Sequence, residues 1–276
     1  MTTVRVRAPA KINLTLHVTG RRDDGYHLLD SLVTFTGVGD VVTVKAAERT
    51  SLSVTGPFAA DVPTGEDNLV LRAASLMGVR AAITLEKNLP VASGIGGGSA
   101  DAAATLKALA RLAKKAVPPV EAVARLGADV PVCLTGGLSR MRGVGERVEI
   151  LAADPASIPM VLVNPGVAVS TPEVFAGLAR RDWPGMEEPI PDWSGPDFLN
   201  WLARQRNDLE APATAVAPVI ADVLDALRDQ PGAALARMSG SGATCFALFP
   251  DPRDAVQAAE RIAKAHPDWW SVPAAL

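Results

Sequence analysis

The sequence predicts a mixed α+β protein in two domains, with strands crowding its first third and helices following. Three observations carry this. Apolar and polar residues alternate at period two through much of residues 3–18. A glycine run, Gly94-Ile-Gly-Gly-Gly-Ser99, opens into a helix with an apolar stripe at Leu106, Leu109 and Ala113. A second series of strands and helices starts near residue 158. At 276 residues, roughly three quarters of the unfolded surface can be buried, so the core needs no disulfide or metal staple.

Val4, Val6 and Ala8 alternate with Arg5 and Arg7, which predicts a strand over 3–8 that Pro9 interrupts. A second strand follows, turning Ile12, Leu14, Leu16 and Val18 toward a core and Lys11, Asn13, Thr15 and His17 to a polar face. Residues 20–25 read as a turn, and strands resume at 32–35, 40–45 and 52–54. Residues 68–78 predict a helix closed by Gly78, and 82–85 a further strand. The glycine loop spans 89–99 and a helix 100–115. Ser99 is its expected N-cap, Asp101 suits the positive end of the dipole, and Lys114 and Lys115 suit the negative end. Pro118 and Pro119 stop it, and a short helix covers 120–126. Beyond a boundary placed near 153, dividing 1–153 from 154–276, come a strand at 160–163 and a surface excursion over 183–198. Helices at 197–206 and 217–229, a strand at 245–249 and a helix at 252–266 complete the pattern.

Composition excludes several classes. Lys plus Arg number 27 against 30 Asp plus Glu, a net charge of −3, which is no footprint for a nucleic-acid coat. With 48% hydrophobic and 21% charged residues the chain is not disordered. Cys133 and Cys245, with only His17, His27 and His266 beside them, make no zinc spacing and suit a reducing compartment. The first residues carry no apolar signal segment, and no run is long enough to cross a bilayer. The expectation is a cytoplasmic protein with no membrane or nucleic-acid partner.

The glycine run lets backbone N–H groups approach a ligand at a helix N-terminus, a chemistry suited to di- or triphosphate. No Gly-Lys-Ser/Thr closes it as a Walker loop, and Ser99 stands where a dinucleotide fingerprint needs glycine. A flexible strand–helix connection is the plain alternative. Lys11 alone reads as a solvated charge, and Asp129, after Gly127, as a turn or cap residue. Residues 239–242 (SGSG) read as a tight turn between closely packed backbones, not a nucleophile elbow. Tyr26, the sole tyrosine, stands beside His27; the pair could stack on and hydrogen-bond a nucleobase, or pack a hairpin.

In sequence order, 9–14 (PAKINL), 25–27 (GYH), 90–101 (PVASGIGGGSAD), 127–131 (GADVP) and 239–243 (SGSGA) together resemble the GHMP kinases, the family of galactokinase, homoserine kinase, mevalonate kinase and phosphomevalonate kinase. The resemblance runs nearly end to end, with further matches at 66–69, 143–146 and 207–210. It is strongest to the branch whose acceptor is a cytidine diphosphate-linked methylerythritol, in non-mevalonate isoprenoid synthesis. The resemblance implies an α+β, two-domain fold: an N-terminal ATP-binding domain like domain 2 of ribosomal protein S5, and a ferredoxin-like C-terminal domain with the last residues packing back on the first. The active site is expected in the cleft between them. It implies transfer of the γ-phosphoryl group of ATP, with Mg²⁺, to the 2-hydroxyl of that substrate. Asp129 would be the base and Lys11 its partner. ATP would be bound by Pro90, Val91, Ala92, Ser93, Gly94, Ile95, Gly96, Gly97, Gly98, Ser99 and Ala100, with Ser99 a Mg²⁺ ligand. Asn68 and Lys87 would lie near adenine and ribose. Tyr26 would stack on the cytosine, His27 read its edge and Phe175 take its other side; Asn13 and Thr171 would line the same pocket. A monomer or weak homodimer is expected. Arg140 and Arg142 match nothing in the pattern; contact with a diphosphate is one reading, and a solvated strand is the expected one. The competing readings are a GHMP kinase for another small alcohol and a non-catalytic nucleotide sensor on the same fold.

Overall fold

Residues 2–153, 157–195 and 197–275 are described by the computed structural model. The chain opens with β1 (Thr3–Asn13), β2 (His17–Arg21), a long β3 (His27–Ala46) and β4 (Ser51–Thr55). Next come α1 (Leu69–Met77), β5 (Ala81–Glu86), α2 (Gly97–Ala113), α3 (Val120–Ala124) and α4 (Val130–Thr135). Then follow β6 (Leu138–Gly143), β7 (Arg147–Ala152), β8 (Pro159–Asn164), α5 (Thr171–Ala176) and α6 (Asp197–Arg204). The last elements are α7 (Glu210–Val216), α8 (Val219–Arg228), β9 (Leu235–Met238), β10 (Cys245–Leu248), α9 (Pro252–Ala265) and β11 (Trp270–Ala275).

The chain divides into two compact units that do not follow the expected cut at 153. One comprises Met1–Lys11, Val38–Val91 and Gly96–Gly136; the other comprises Ile12–Gly37, Ala92–Ile95 and Gly137–Leu276. The reason lies in strand pairing: the first half of β3 pairs with β2 and β6, and β6 with β7, so these strands group with the C-terminal residues.

In the first unit β4 runs parallel to β5, and β5 pairs antiparallel with the second half of β3, from Val41↔Glu86 to Ala46↔Ala81. β1 also pairs with β3 and continues through Pro9, where an interruption was expected. A proline removes one donor only, which a strand tolerates on the side that needs no ladder bond. Asn68 caps α1 by accepting the Val70 N–H at 2.8 Å, and Gly78 closes it in the left-handed region. α2 buries Ala100, Ala102, Ala103, Ala104, Leu106, Ala108 and Leu109, so α1 and α4 pack closely on it. It begins at Gly97 with Gly96 as N-cap and ends at Ala113, not at the expected Ser99 cap and Lys115.

In the second unit a four-stranded sheet, ordered β11-β8-β10-β9, is antiparallel throughout. Its core gathers Val161, Val163, Val223, Leu224, Leu227, Ala247, Phe249 and Ile262. The C-terminal tail, expected to pack back on the first domain, is the edge strand β11, where Pro273 pairs with Val161. Segment 183–198 is the expected surface excursion between α5 and α6, pinned to the core by buried Met186 and Trp193, and Trp193 meets Phe198 edge-on at 5.1 Å. Arg140 is not on the expected solvated face. Its guanidinium donates to both oxygens of buried Asp30, at 2.8 and 2.9 Å, and to Glu188 at 2.6 Å. Arg142 is half-exposed and pairs with Glu149, as a solvated strand face allows.

Burial pushes the Asp30 carboxyl up, but hydrogen bonds from Arg140 and the Met186 N–H, with the Arg140 charge, hold it below its ordinary value. A lowered carboxyl contributes stability that is present above the unfolded pKa and is lost as pH falls through the folded one. Arg140→Met should therefore destabilise the chain at neutral pH by about 3 kcal/mol, because it leaves a buried charge unpaired. The deficit should shrink on acidification as Asp30 takes a proton. Denaturant titrations of both proteins at neutral and acidic pH check this; a deficit independent of pH contradicts it.

Candidate active site

Lys11, near the end of β1, is 4% exposed, and its ammonium donates to Asp129 Oδ2 at 2.6 Å. Asp129 is the N-cap residue of α4, yet its carboxylate makes no capping bond to that helix. Asp129 thus holds the turn and cap position expected of it while its carboxylate meets Lys11 instead, and the solvated-charge reading fails for Lys11. The expected polar strand face is buried throughout: Asn13, Thr15 and His17 are no more exposed than Lys11, and β1 ends at Asn13.

The glycine loop adjoins this ion pair. Gly96 has φ +63°, and a Cβ there would stand 3.1 Å from Lys11 Cβ. Gly127, two residues before Asp129, has its Cβ direction 3.9 Å from Ser99 Oγ. Gly96, the N-cap residue of α2, has no side chain to cap the first turn, and a helix N-terminus of this kind suits an anion. Earlier in the loop, Pro90 and Val91 belong to the first unit, and Ala92, Ser93, Gly94 and Ile95 to the second. Within that second unit the Ser239–Gly242 turn grips Gly94. Ser239 Oγ donates to the Gly94 carbonyl at 3.2 Å and accepts the Asn13 N–H at 3.1 Å, while the Thr244 N–H donates to the Ser93 carbonyl at 3.0 Å. The close backbone packing foreseen for 239–242 is present; that its partner is the glycine loop was not foreseen.

Two of the expected nucleotide ligands are otherwise engaged. Asn68 spends its oxygen on the α1 cap and its amide on the Pro63 carbonyl at 2.6 Å. Lys87 is buried, its ammonium donating to Asp40 at 2.5 Å and to Asp101 at 2.8 Å. The ammonium is thus engaged within the protein, and the placement of Asn68 and Lys87 near adenine and ribose stands as a proposal. Asp101, expected to serve the helix dipole, is itself sealed. Burial pushes its carboxyl up to about 7, Lys87 opposing and Asp40 adding to the rise.

In the second unit Tyr26 lies on the β2–β3 loop and is 65% exposed. His27 stacks on Phe175 with ring centroids 4.7 Å apart and planes inclined by 21°, too close to admit a base between those two rings. His27 Nε2 is buried without a hydrogen-bond partner. Burial, then the charges of Arg21 and Arg181, lower the His27 pKa, which favours a neutral imidazole able to read a base edge. Thr171, at the start of α5, shares a 2.7 Å hydrogen bond with Ser241. Asn13 donates its amide to Ser31 at 2.8 Å, and its Oδ1 is buried without a partner.

Among the described residues no cluster of three His, Cys, Asp or Glu side chains could hold a metal ion, and no helix is long and apolar enough to cross a membrane.

The family model described as the GHMP kinases N terminal domain matches residues 68–137, and the one described as GHMP kinases C terminal matches 196–268. The 4-diphosphocytidyl-2-C-methyl-D-erythritol kinase of Cereibacter sphaeroides is 61% identical over 271 residues, covering 98% of each chain. The protein of that name from Paramagnetospirillum magneticum is 51% identical over 288 residues, covering 100% of this chain and 99% of its own. A crystal structure of 4-(cytidine 5'-diphospho)-2C-methyl-D-erythritol kinase superposes with a TM-score of 0.79 at 36% identity, covering 98% of both chains. Homoserine kinase from Cytophaga hutchinsonii shares the fold, with a TM-score of 0.70 at 19% identity, covering 100% of this chain and 94% of its own. The contact of buried Lys11 with half-buried Asp129, the glycine loop and these matches agree: the chain belongs to the GHMP kinase family.

Proposed function

We propose that this chain transfers the γ-phosphoryl group of ATP to the 2-hydroxyl of 4-diphosphocytidyl-2-C-methyl-D-erythritol, a step of non-mevalonate isoprenoid synthesis. The chain is a small-molecule kinase with ATP as phosphoryl donor. The observation that carries the chemistry is the Lys11–Asp129 contact beside the glycine loop. A nucleotide sensor has no need of a buried lysine aimed at a carboxylate. The acceptor follows from relatives of that name at 51–61% identity along essentially the whole chain.

Asp129 accepts the proton of the attacking hydroxyl, and the Lys11 ammonium stabilises negative charge on that oxygen. The first-turn N–H groups of α2 hold the phosphates of the donor. Transfer passes through a loose transition state, so position and charge neutralisation matter more than strong basicity. Ser99, on the first turn of α2, is the protein oxygen we assign to Mg²⁺, which would supply neutralisation of phosphate charge when bound with the nucleotide. A single hydroxyl fits an ion that is held mainly by phosphates and water. Tyr26 stacks on the cytosine, the free Nε2 of His27 reads its edge and Phe175 backs the imidazole, with Asn13 Oδ1 and Thr171 completing the pocket. As a division between family domains, 1–153 and 154–276 stands as a proposal beside the compact units. The enzyme is proposed to work in the cytoplasm as a monomer or weak homodimer.

Tyr26→Ala should weaken binding of cytidine nucleotides by about tenfold, the worth of one base stacked on an aromatic ring, and leave ATP affinity unchanged. Calorimetric titration with cytidine diphosphate and ATP in parallel measures both. Unchanged cytidine affinity would remove Tyr26 from the base site.

A further inference from the structure

Under the glycine loop of the first unit lies a sealed group of three charges. Asp40 on β3, Lys87 just after β5 and Asp101 at the start of the second turn of α2 are each 3% exposed or less. Asp40 Oδ1 accepts the backbone N–H groups of Asn88, at 2.5 Å, and Leu89, at 2.8 Å. Its Oδ2 accepts from Lys87, whose ammonium also donates to Asp101 Oδ2. One carboxylate on β3 thus holds the residues entering the loop directly, and through a single ammonium it holds the helix turn that leaves the loop. The ammonium stands 3.0 Å from where a Cβ on Gly97 would lie, against the first turn itself. The buried side chains of α1, which packs on α2, are Val70, Ala73, Ala74 and Met77, and α4 adds the Cys133 thiol.

We propose that Asp40 and Asp101 act through Lys87 as positioning residues, clamping both ends of the glycine loop in the shape that receives the phosphates of the nucleotide. The inference rests on the reading that this loop binds ATP. A well-packed apolar cluster commonly stabilises a core as well as a buried ion group does, so stability alone does not account for three charges here. What an apolar cluster lacks is direction: each bond of the triad fixes one backbone segment relative to another.

Charge and clamp make opposite forecasts, which gives the test. Negative charge beneath the loop repels a polyphosphate, so on charge alone Asp40→Asn and Asp101→Asn should bind nucleotide more tightly. A clamp predicts that each weakens it, by about tenfold or more, because small misplacement of binding groups is costly. The experiment is calorimetric titration of the whole chain and its Asp40→Asn, Asp101→Asn and Lys87→Met variants with the β,γ-imido analogue of ATP, and with cytidine diphosphate as control. The expected result is weakened binding of the analogue in all three, unchanged cytidine binding, and a triple variant no worse than the worst single one. Unchanged or tighter binding in the two asparagine variants overturns the proposal, as does a loss confined to Lys87→Met, which indicates direct contact with the nucleotide. Where a single variant fails to fold, the triple variant, with no charge left uncompensated, is judged by the same criterion. Amide exchange gives a reading independent of ATP. The Ala100 N–H, bonded to the Gly96 carbonyl at 2.8 Å, should lose protection in the variants, and retained protection counts against the clamp. If the unmodified chain binds no analogue, the nucleotide reading fails, while amide exchange still decides whether the clamp exists.

Discussion

Asp129→Asn should lower kcat by about 10³-fold with little change in the KM for ATP. The carboxylate is free of the capping duty its position at the start of α4 suggests, and it lies 2.6 Å from the Lys11 ammonium. Asparagine keeps the shape and can still accept a hydrogen bond from Lys11, so the buried ammonium retains a partner and the fold survives. What disappears is the ability to take the hydroxyl proton. Lys11→Met should also lower kcat, by removing positive charge beside the attacking oxygen, but it leaves the base in place and its loss should be smaller. Steady-state kinetics on the two variants, with melting curves to confirm folding, separates these roles. A larger loss in Lys11→Met than in Asp129→Asn would reverse the assignment of the base.

The second large effect belongs to Gly94. Its φ is +77°, and a Cβ there would stand 2.6 Å from two backbone oxygens, those of Ser239 and Gly242. No rotamer change relieves a clash with backbone, so Gly94→Ala must displace either the glycine loop or the 239–242 turn. ATP affinity should fall by about 100-fold, the scale of loss that follows an ångström of misplacement. The melting point should fall by about 5 °C, since left-handed strain and the clash together cost a few kcal/mol. Gly65→Ala is the natural control: nothing lies within 4 Å of its Cβ direction, and its backbone is unstrained. An ATP affinity in Gly94→Ala equal to that of this control would contradict the grip seen in the structure.

Much of the fold was legible where local chemistry decides it. Asn68 and Gly78 mark the ends of α1 by capping, and the glycine run marks the entry to α2. The elements that were missed are those whose local signals point elsewhere. α4 hides in a segment punctuated by Gly127 and Pro131, because proline in a first helical turn looks like a break until the helix is seen to follow it. β11 carries Pro273, which only an edge strand tolerates, and nothing local says that the strand is at an edge. β6 and β7 follow Gly136 and Gly137, and the Asp30 partner of Arg140 is 110 residues away.

The site divides in the same way. Lys11, Asp129, Tyr26 and His27 stand out only in combination, since each alone has an ordinary explanation. The engagement of Lys87 with Asp40 and Asp101 was not legible, because these partners lie 47 and 14 residues away and nothing in the sequence aligns them. The stacking of His27 on Phe175 spans a far longer separation, 148 residues, and needed the fold of α5 to appear. Periodicity reports which side chains are buried together, but not which of them meet.

The central claim is that Asp129 and the glycine loop phosphorylate an alcohol recognised through its cytosine. Transfer of radiolabelled γ-phosphate from ATP, with Mg²⁺, to 4-diphosphocytidyl-2-C-methyl-D-erythritol in competition with mevalonate and homoserine tests it most directly. Label is expected on the cytidylyl substrate alone, and is expected to vanish in Asp129→Asn. Label on mevalonate or homoserine, or transfer undiminished in Asp129→Asn, would contradict it.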